Sequence, residues 1–524
     1  MRCRVSLVFG VLLTALVLAA PASAGHGTGA PGESDDMSHL GNSPRPGTTN
    51  SDIAFWGDLA YSGHSQGFRI IDVANRRRPR EIVDFPCAGS QNDVGVWDSR
   101  QRGDGDKRLL FLSVDGRRND DKCNGVPPKE SSAPGPFEGI RVLDVTDPRK
   151  PKYLKSVYTE CGSHTHTVIP VDKQRDGSYV IDADDPDRVL IYVSSYPLAG
   201  QNDRCGLLEA AQGEDPRHNQ ISIVEVPFDD PEDASVLKEV PLHPETRGFP
   251  EGESHGCHDI GAFLELELAA AACQGEGQVW DISDPANPGT QDAERIFNPL
   301  INYWHSASFT WDGKYLIYGD EEGGAAVTHG CANLSPTQPA TGATWFYERA
   351  NPTLPAGNFT QTRQQFTEGQ TTCTAHNYIP IPVEDRYLLT SAYYEAGSSV
   401  IDFTDPMAAR EIAYFDAKGD SQNEERADTW SSYWYNGNVF ANDINRGVDV
   451  FELLNEPARL ARGARRFDHL NPQTQEELLG GDDCTKNRGT DEGRGKKRGH
   501  CKDRDDDRDE DDDRDEDSGN EDDD

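Results

Sequence analysis

The stretch that decides the fold is GQVWDISDPANP, residues 277–288. Its first half, from Gln278 to Ile282, reads as a strand, because branched and aromatic side chains suit a half-buried pleated surface. Its second half is a stop. Proline cannot donate to a sheet ladder and restrains the residue before it. The carboxylate of Asp281 is placed to accept from the backbone of the turn that follows. The phrase recurs as FRIIDVANRRRP from Phe68, IRVLDVTDPRKP from Ile140, ISIVEVPFDDP from Ile221, ATWFYERANPTLP from Ala343, SSVIDFTDP from Ser398 and GVDVFELLNEP from Gly447. The acids of the seven copies are Asp72, Asp144, Glu225, Asp281, Glu348, Asp402 and Glu452, spaced 50 to 81 residues apart. A supersecondary unit copied at such a period signals a repeat architecture.

Each unit carries a second strand upstream of the phrase: DLAYS (58–62), RLLFLSV (108–114), RVLIYVSS (188–195), LELELAAAA (264–272), KYLIYGD (314–320), RYLLTSAYY (386–394) and GNVFAND (437–443). A third short segment lies further upstream. Three or four strands per unit, seven units and no clear amphipathic helix predict an all-β, seven-bladed β-propeller over 51–455. The repeated phrase resembles the LVIVD repeat of bacterial secreted β-propeller proteins, with GQVWDISDPANP as the clearest copy and the likeness spanning roughly 51–455. That resemblance implies the fold. It implies no reaction, because unrelated functions share folds.

The first 24 residues read as a signal peptide: Arg2 and Arg4, an apolar core at 5–20, then Ala22-Ser23-Ala24 as a small-residue cleavage site. The expectation is a secreted or extracytoplasmic protein with no membrane span in the mature chain. Residues 25–50 read as an N-terminal linker. Residues 456–501 read as a polar linker with one short helix near 473–479, and 502–524 as a disordered acidic tail. Ten cysteines follow the signal, and an even number in an exported chain favours disulfides. Cys331 with Cys373, and Cys484 with Cys501, would each close a loop within one region. The formal net charge is −40, of which the tail's 16 acids and 4 bases supply −12, leaving −28 on the rest. Such a surface repels phosphate backbones, which argues against nucleic acid as a partner.

The third segment of each unit is the expected innermost strand. Aligned on the apolar residue two places on, the seven segments present Ser51, Asn92, His166, His258, His305, His376 and Trp430 at one register. Four successive units carry histidine there, and strand alternation sets His164 beside His166. Innermost strands face one another around a propeller's channel, so these five side chains could share one ion. Imidazole suits copper, iron and zinc, and a rigid ring leaves a coordination position open. A metal-free structural ring and a pocket for an acidic or aromatic ligand fit the same residues. Asp259 is a candidate to orient a neighbouring ring nitrogen. Asp93 and Glu253 are further channel carboxylates. Asp320-Glu321-Glu322 follows a strand and could ligate calcium, but three acids before Gly-Gly read rather as an exposed loop, and His26, His39, His64, His218, His243, His329, His469 and His500 read as loop or tail residues.

The function expected from these features is an extracytoplasmic binding or scaffold protein, with a protein or small-molecule partner at the channel or rim and a transition metal in the channel. The alternative is a copper- or iron-dependent oxidoreductase using the same histidines. Selenium-binding proteins and methanethiol oxidases are similar seven-bladed propellers whose channel histidines hold copper. A polysaccharide hydrolase or lyase ranks third. No GxSxG, HExxH or phosphate-loop motif is present.

Overall fold

The seven phrases each form the third strand of a four-stranded antiparallel blade, and the turn chemistry works as their acids require. Asp72, Asp144, Asp281 and Asp402 accept from the backbone N–H groups of Ala74, Thr146, Ser283 and Thr404. Glu225 is one carbon longer and instead takes Arg188 and Tyr179. The structure is a computed structural model describing residues 32–99, 107–125, 137–196, 218–248, 256–322, 342–361, 363, 372–417, 427–454, 460–461 and 464–479.

Seven sheets follow one another around an axis. Their innermost strands are Asn50–Trp56, Val94–Asp98, Thr165–Lys173, Asp259–Phe263, Trp304–Phe309, Tyr378–Ile381 and Thr429–Tyr435, numbered here as blades 1 to 7. Apolar side chains between neighbouring blades form the core. Blade 7, for example, packs Tyr433, Phe440 and Val450 against Ile53 and Phe55 of blade 1.

Closure uses both ends of the chain, and this corrects the two linkers expected from sequence. Met37–Pro44 is the outermost strand of blade 7, paired antiparallel with Gly447–Leu453. Gly32–Glu33 adds a fifth strand to blade 6. At the other end, His469–Leu470 pairs with Phe55 and Trp56 of blade 1. Thr474–Gln475 pairs with Ala262 and Phe263 of blade 4. The expected helix near 473–479 is therefore a strand pairing and a turn. Polar side chains in this segment, Asn471, Thr474 and Gln475, bond the backbones of Val96, Val168 and Phe309. Blades 1 to 5 are thus tied together across one end of the channel. The sequence reads as polar because these groups satisfy strand-end backbone that would otherwise be buried without partners.

Several histidines set aside as loop residues are structural. His39 bonds Asp449 within blade 7. His64 is buried against Asp84. His218 is buried with its Nε2 2.9 Å from Ser195 Oγ, and His469 stacks on Trp56. His26, His329 and His500 lie outside the described residues.

Disulfides join Cys87 to Cys123 and Cys257 to Cys273. Cys161 and Cys373 are also disulfide-bonded. Cys331, the expected partner of Cys373, lies outside the described residues, as do Cys484 and Cys501. The two described bridges span 36 and 16 residues. Loops of that size stabilise by about 3–4 kcal/mol each in the chain-entropy picture. Replacing Cys257 and Cys273 together by serine should lower the unfolding free energy by about 3 kcal/mol. Denaturant titration measures this, and an unchanged midpoint would show that the bridge constrains nothing.

Candidate metal centre at the channel mouth

The innermost strands all run the same way, so their first residues share one end of the channel and their last residues the other. The C-terminal segment occupies the end where these strands finish. The histidines gather where they begin. His258 stands one residue before its strand, His305 at the second position of its strand, and His376 two residues before its strand.

The rings form a contiguous arc. The centroids of His258 and His305 are 3.7 Å apart, those of His305 and His376 4.4 Å, and those of His164 and His258 4.5 Å. Glu321 closes the arc. Its Oε2 lies 3.7 Å from His305 Nε2, and its Oε1 lies 3.7 Å from His376 Nε2. One ligand atom each from His258, His305 and Glu321 fall within 4.8 Å of one another, all from buried residues. This is the one such group among the described residues.

These separations are too long for hydrogen bonds, which end near 3.2 Å for nitrogen and oxygen. They are close to the roughly 3.4 Å between two ligand atoms about 2.1 Å from one tetrahedral ion. Both ring nitrogens of His305 are buried without a hydrogen-bond partner. A buried polar atom left unpaired costs about 1–3 kcal/mol and calls for an explanation. An ion between His305 Nε2 and Glu321 Oε2 would supply it for that nitrogen.

Outer partners fix the other rings. His258 Nδ1 lies 3.0 Å from Asp259 Oδ1. His376 Nδ1 lies 2.5 Å from the Trp430 carbonyl oxygen, and His164 Nδ1 lies 2.5 Å from Asp115 Oδ2. With Nδ1 engaged in this way, Nε2 of His258 and of His376 is left for the interior, and such second partners orient metal-binding histidines, whereas His164 Nε2 lies 3.2 Å from Gln91 Nε2. Asp259 therefore bonds the ring of the preceding residue, His258.

Burial sets the protonation states. It drives His258 and His305 well below the ordinary imidazole value, and neighbouring histidines add to the effect. Burial likewise brings His376 down to about 3. Burial alone would lower His164 too, but its pairing with Asp115 outweighs this and raises it. Burial pushes both Glu321 and Asp259 up to about 7. His258, His305 and His376 are thus neutral imidazoles, the form that ligates metal, whereas Asp115 favours the charged form of His164. Tyr196, Tyr303 and Tyr394 line the cluster, with Tyr196 and Tyr303 5.6 and 5.8 Å from the His258 ring and Tyr394 4.5 Å from His376.

His166 does not join the arc. Its ring turns toward blade 2, with Nδ1 2.8 Å from Ser113 Oγ and 3.1 Å from Asp93 Oδ2. It sits against Gly95, where an added Cβ would come within 2.6 Å of His166 Nε2. Thr165 and Thr167 bond the carbonyls of His258 and Ile260 in blade 4. His164 stands one residue before its strand. With its ring 4.5 Å from that of His258, His164, not His166, is the blade 3 member. Asp93 accepts from the His166 backbone N–H at 3.1 Å. Glu253 lies outside the described residues.

Glu321 was missed by the sequence reading, because an Asp-Glu-Glu run before two glycines resembles a surface loop. It is buried, as are Asp320 and Glu322. A signal was nevertheless present. Asp115, Tyr196, Glu321 and Tyr394 all stand at or just beyond the apolar core of their blades' second strands, which end at the same channel mouth as the first strands begin.

No protein-family model matches this chain, and no curated protein matches it. Solved structures with a similar fold include the computationally designed Ika8 protein and a putative 6-phosphogluconolactonase from Bacteroides fragilis. Ika8 is 8% identical, covers 80% of this chain and 100% of its own, and superposes with a TM-score of 0.39. The Bacteroides protein is 8% identical, covers 76% of this chain and 88% of its own, with a TM-score of 0.43.

Proposed function

We propose that this chain is an exported, extracytoplasmic propeller that binds a transition metal at its channel mouth through His258, His305 and Glu321, and that uses this centre in a binding or scaffold role. The observation that carries the reading is the buried donor set within 4.8 Å, with both His305 nitrogens lacking any other partner. Two imidazoles and one carboxylate suit iron(II), zinc or copper better than calcium or magnesium, which take oxygen ligands. The N-terminal basic, apolar and small-residue pattern supports export, and so do the disulfides.

A second reading follows from the same donors. Two histidines and one carboxylate with open positions is the set used by non-haem iron oxygenases. Three protein ligands leave room for a small molecule, and phenol rings border that room. A copper- or iron-dependent oxidoreductase is therefore the alternative.

Elemental analysis of protein secreted natively, and never exposed to a nickel column, tests the metal directly. The expected result is one equivalent of iron, copper or zinc per chain, and metal-free folded protein that cannot be loaded would overturn the reading. Oxygen or peroxide consumption by the loaded protein separates the catalytic alternative from the scaffold. Affinity should also depend on pH. Glu321, raised to about 7, must lose its proton to ligate. Below pH 7 the ion competes with that proton, so affinity should fall by about tenfold per pH unit between 7 and 5 for this one proton. Titration calorimetry at pH 8, 6.5 and 5.5 would measure it, and a flat profile would remove Glu321 from the ligand set.

A further inference from the structure

Tyr394 departs from ordinary backbone geometry at the edge of the cluster. Its φ is +45°, in the left-handed region that a bulky residue rarely adopts. Such a conformation costs about 1–3 kcal/mol and persists only where its surroundings impose it. Here they do. Tyr394 N–H donates to the Thr429 carbonyl at 3.2 Å, and Thr429 N–H donates to the Tyr394 carbonyl at 2.8 Å. These two bonds, made by blade 7, hold the backbone turned. The neighbouring Tyr393 packs in the core between blades and bonds Thr344. Tyr394 points the other way. Its ring lies 4.5 Å from His376, and its hydroxyl donates to Glu321 Oε1.

That hydrogen bond divides the two oxygens of Glu321. Oε1 faces His376 and is taken by the phenol. Oε2 faces His305. We propose that Tyr394 is a positioning residue that holds Glu321 as a one-oxygen ligand, presenting Oε2 to an ion shared with His258 and His305 and keeping His376 outside the primary set. The inference rests on the metal reading above. It goes beyond it by assigning the denticity of the carboxylate and the residue that enforces it. The grouping of donor atoms agrees, since His258, His305 and Glu321 fall together and His376 does not.

Tyr394→Phe removes the hydroxyl and keeps the ring against His376. With Oε1 released, the carboxylate loses the anchor that aims Oε2 at His305 and can turn between one-oxygen and two-oxygen binding. Loading wild type and variant with cobalt(II) gives a visible spectrum sensitive to coordination number and geometry. The variant is expected to bind cobalt 10- to 100-fold more weakly, as loss of an outer partner does at metal sites, and to show a changed ligand-field spectrum. Tyr192→Phe is the control, because the buried Tyr192 hydroxyl bonds the Pro285 carbonyl rather than any residue of the cluster. It should alter neither quantity. If wild type binds cobalt and Tyr394→Phe keeps both affinity and spectrum, the positioning role is refuted while the metal site stands. If wild type binds no metal at all, the site itself fails. A circular dichroism spectrum and thermal midpoint matching wild type would exclude misfolding, and Tyr394→Trp, an aromatic residue without a phenol, provides a second variant with the same expectation.

Discussion

His305→Ala should abolish stoichiometric metal binding while leaving the propeller folded. His305 is the one ring in the cluster with both nitrogens buried and unpartnered. Removing it therefore breaks no hydrogen bond, and the folded state loses ring packing only. The cost is that of a large-to-small change in a packed interior, about 2–4 kcal/mol. For the metal the loss is far greater. An ion held by three protein atoms and left with two loses at least about three orders of magnitude in affinity, since structural metal sites carry roughly 10 kcal/mol or more over three or four ligands. His166→Ala provides the contrast. His166 bonds Ser113 and Asp93 between blades 2 and 3. Its removal should lower stability and leave metal content unchanged. Calorimetric metal titration and thermal unfolding on both variants measure the pair of effects. If His166→Ala released the metal and His305→Ala kept it, the choice of His164 over His166 in blade 3 would be wrong.

Ending the chain after Leu454 should prevent folding to the native propeller. The segment 469–479 buries His469, Leu470, Asn471, Gln473, Thr474 and Gln475 and bonds innermost strands of five blades. Five or more hydrogen bonds at about 1 kcal/mol each, with a buried leucine at about 2 kcal/mol, amount to roughly 7 kcal/mol. That is comparable to the whole stability of a domain, about 5–15 kcal/mol. A milder change keeps the test quantitative. Asn471→Ala with Gln475→Ala removes bonds to blades 2 and 5 and should lower the unfolding free energy by about 3–5 kcal/mol, because buried backbone groups are left unpaired. Denaturant unfolding followed by tryptophan fluorescence reads both. A truncated chain with an unchanged midpoint would show that closure depends on the N-terminal strand alone.

The blades were legible in the sequence because their signal is local. A branched, aromatic strand, an acid and a proline stop occur within a dozen residues, and the four aspartates bond the turns they announce. Closure was not legible in the same way. Met37–Pro44 has a glycine, two serines and an asparagine where a strand would show branched residues, and tertiary pairing overrides such weak propensity. The polar 469–479 segment read as a linker with a short helix rather than as strand pairings, since most of its side chains satisfy backbone instead of forming an alternating apolar face. Within the site, histidines at one register in successive repeats were visible, whereas the choice between His164 and His166 was not. It depends on Ser113 and Asp93, which draw the His166 ring to blade 2, and on Asp115, which holds His164 beside His258. Glu321 was hidden for the opposite reason. Charged residues in a row look solvated, and only the neighbouring blades reveal that this one is enclosed.

The most direct measurement is a crystal structure of the natively secreted protein with anomalous data collected on both sides of the iron, copper and zinc edges. The expected result is one anomalous peak about 2.0–2.2 Å from a ring nitrogen of His258, a ring nitrogen of His305 and Oε2 of Glu321. An empty channel mouth in protein grown with those metals present, or a peak that these three side chains do not share, would contradict the metal centre.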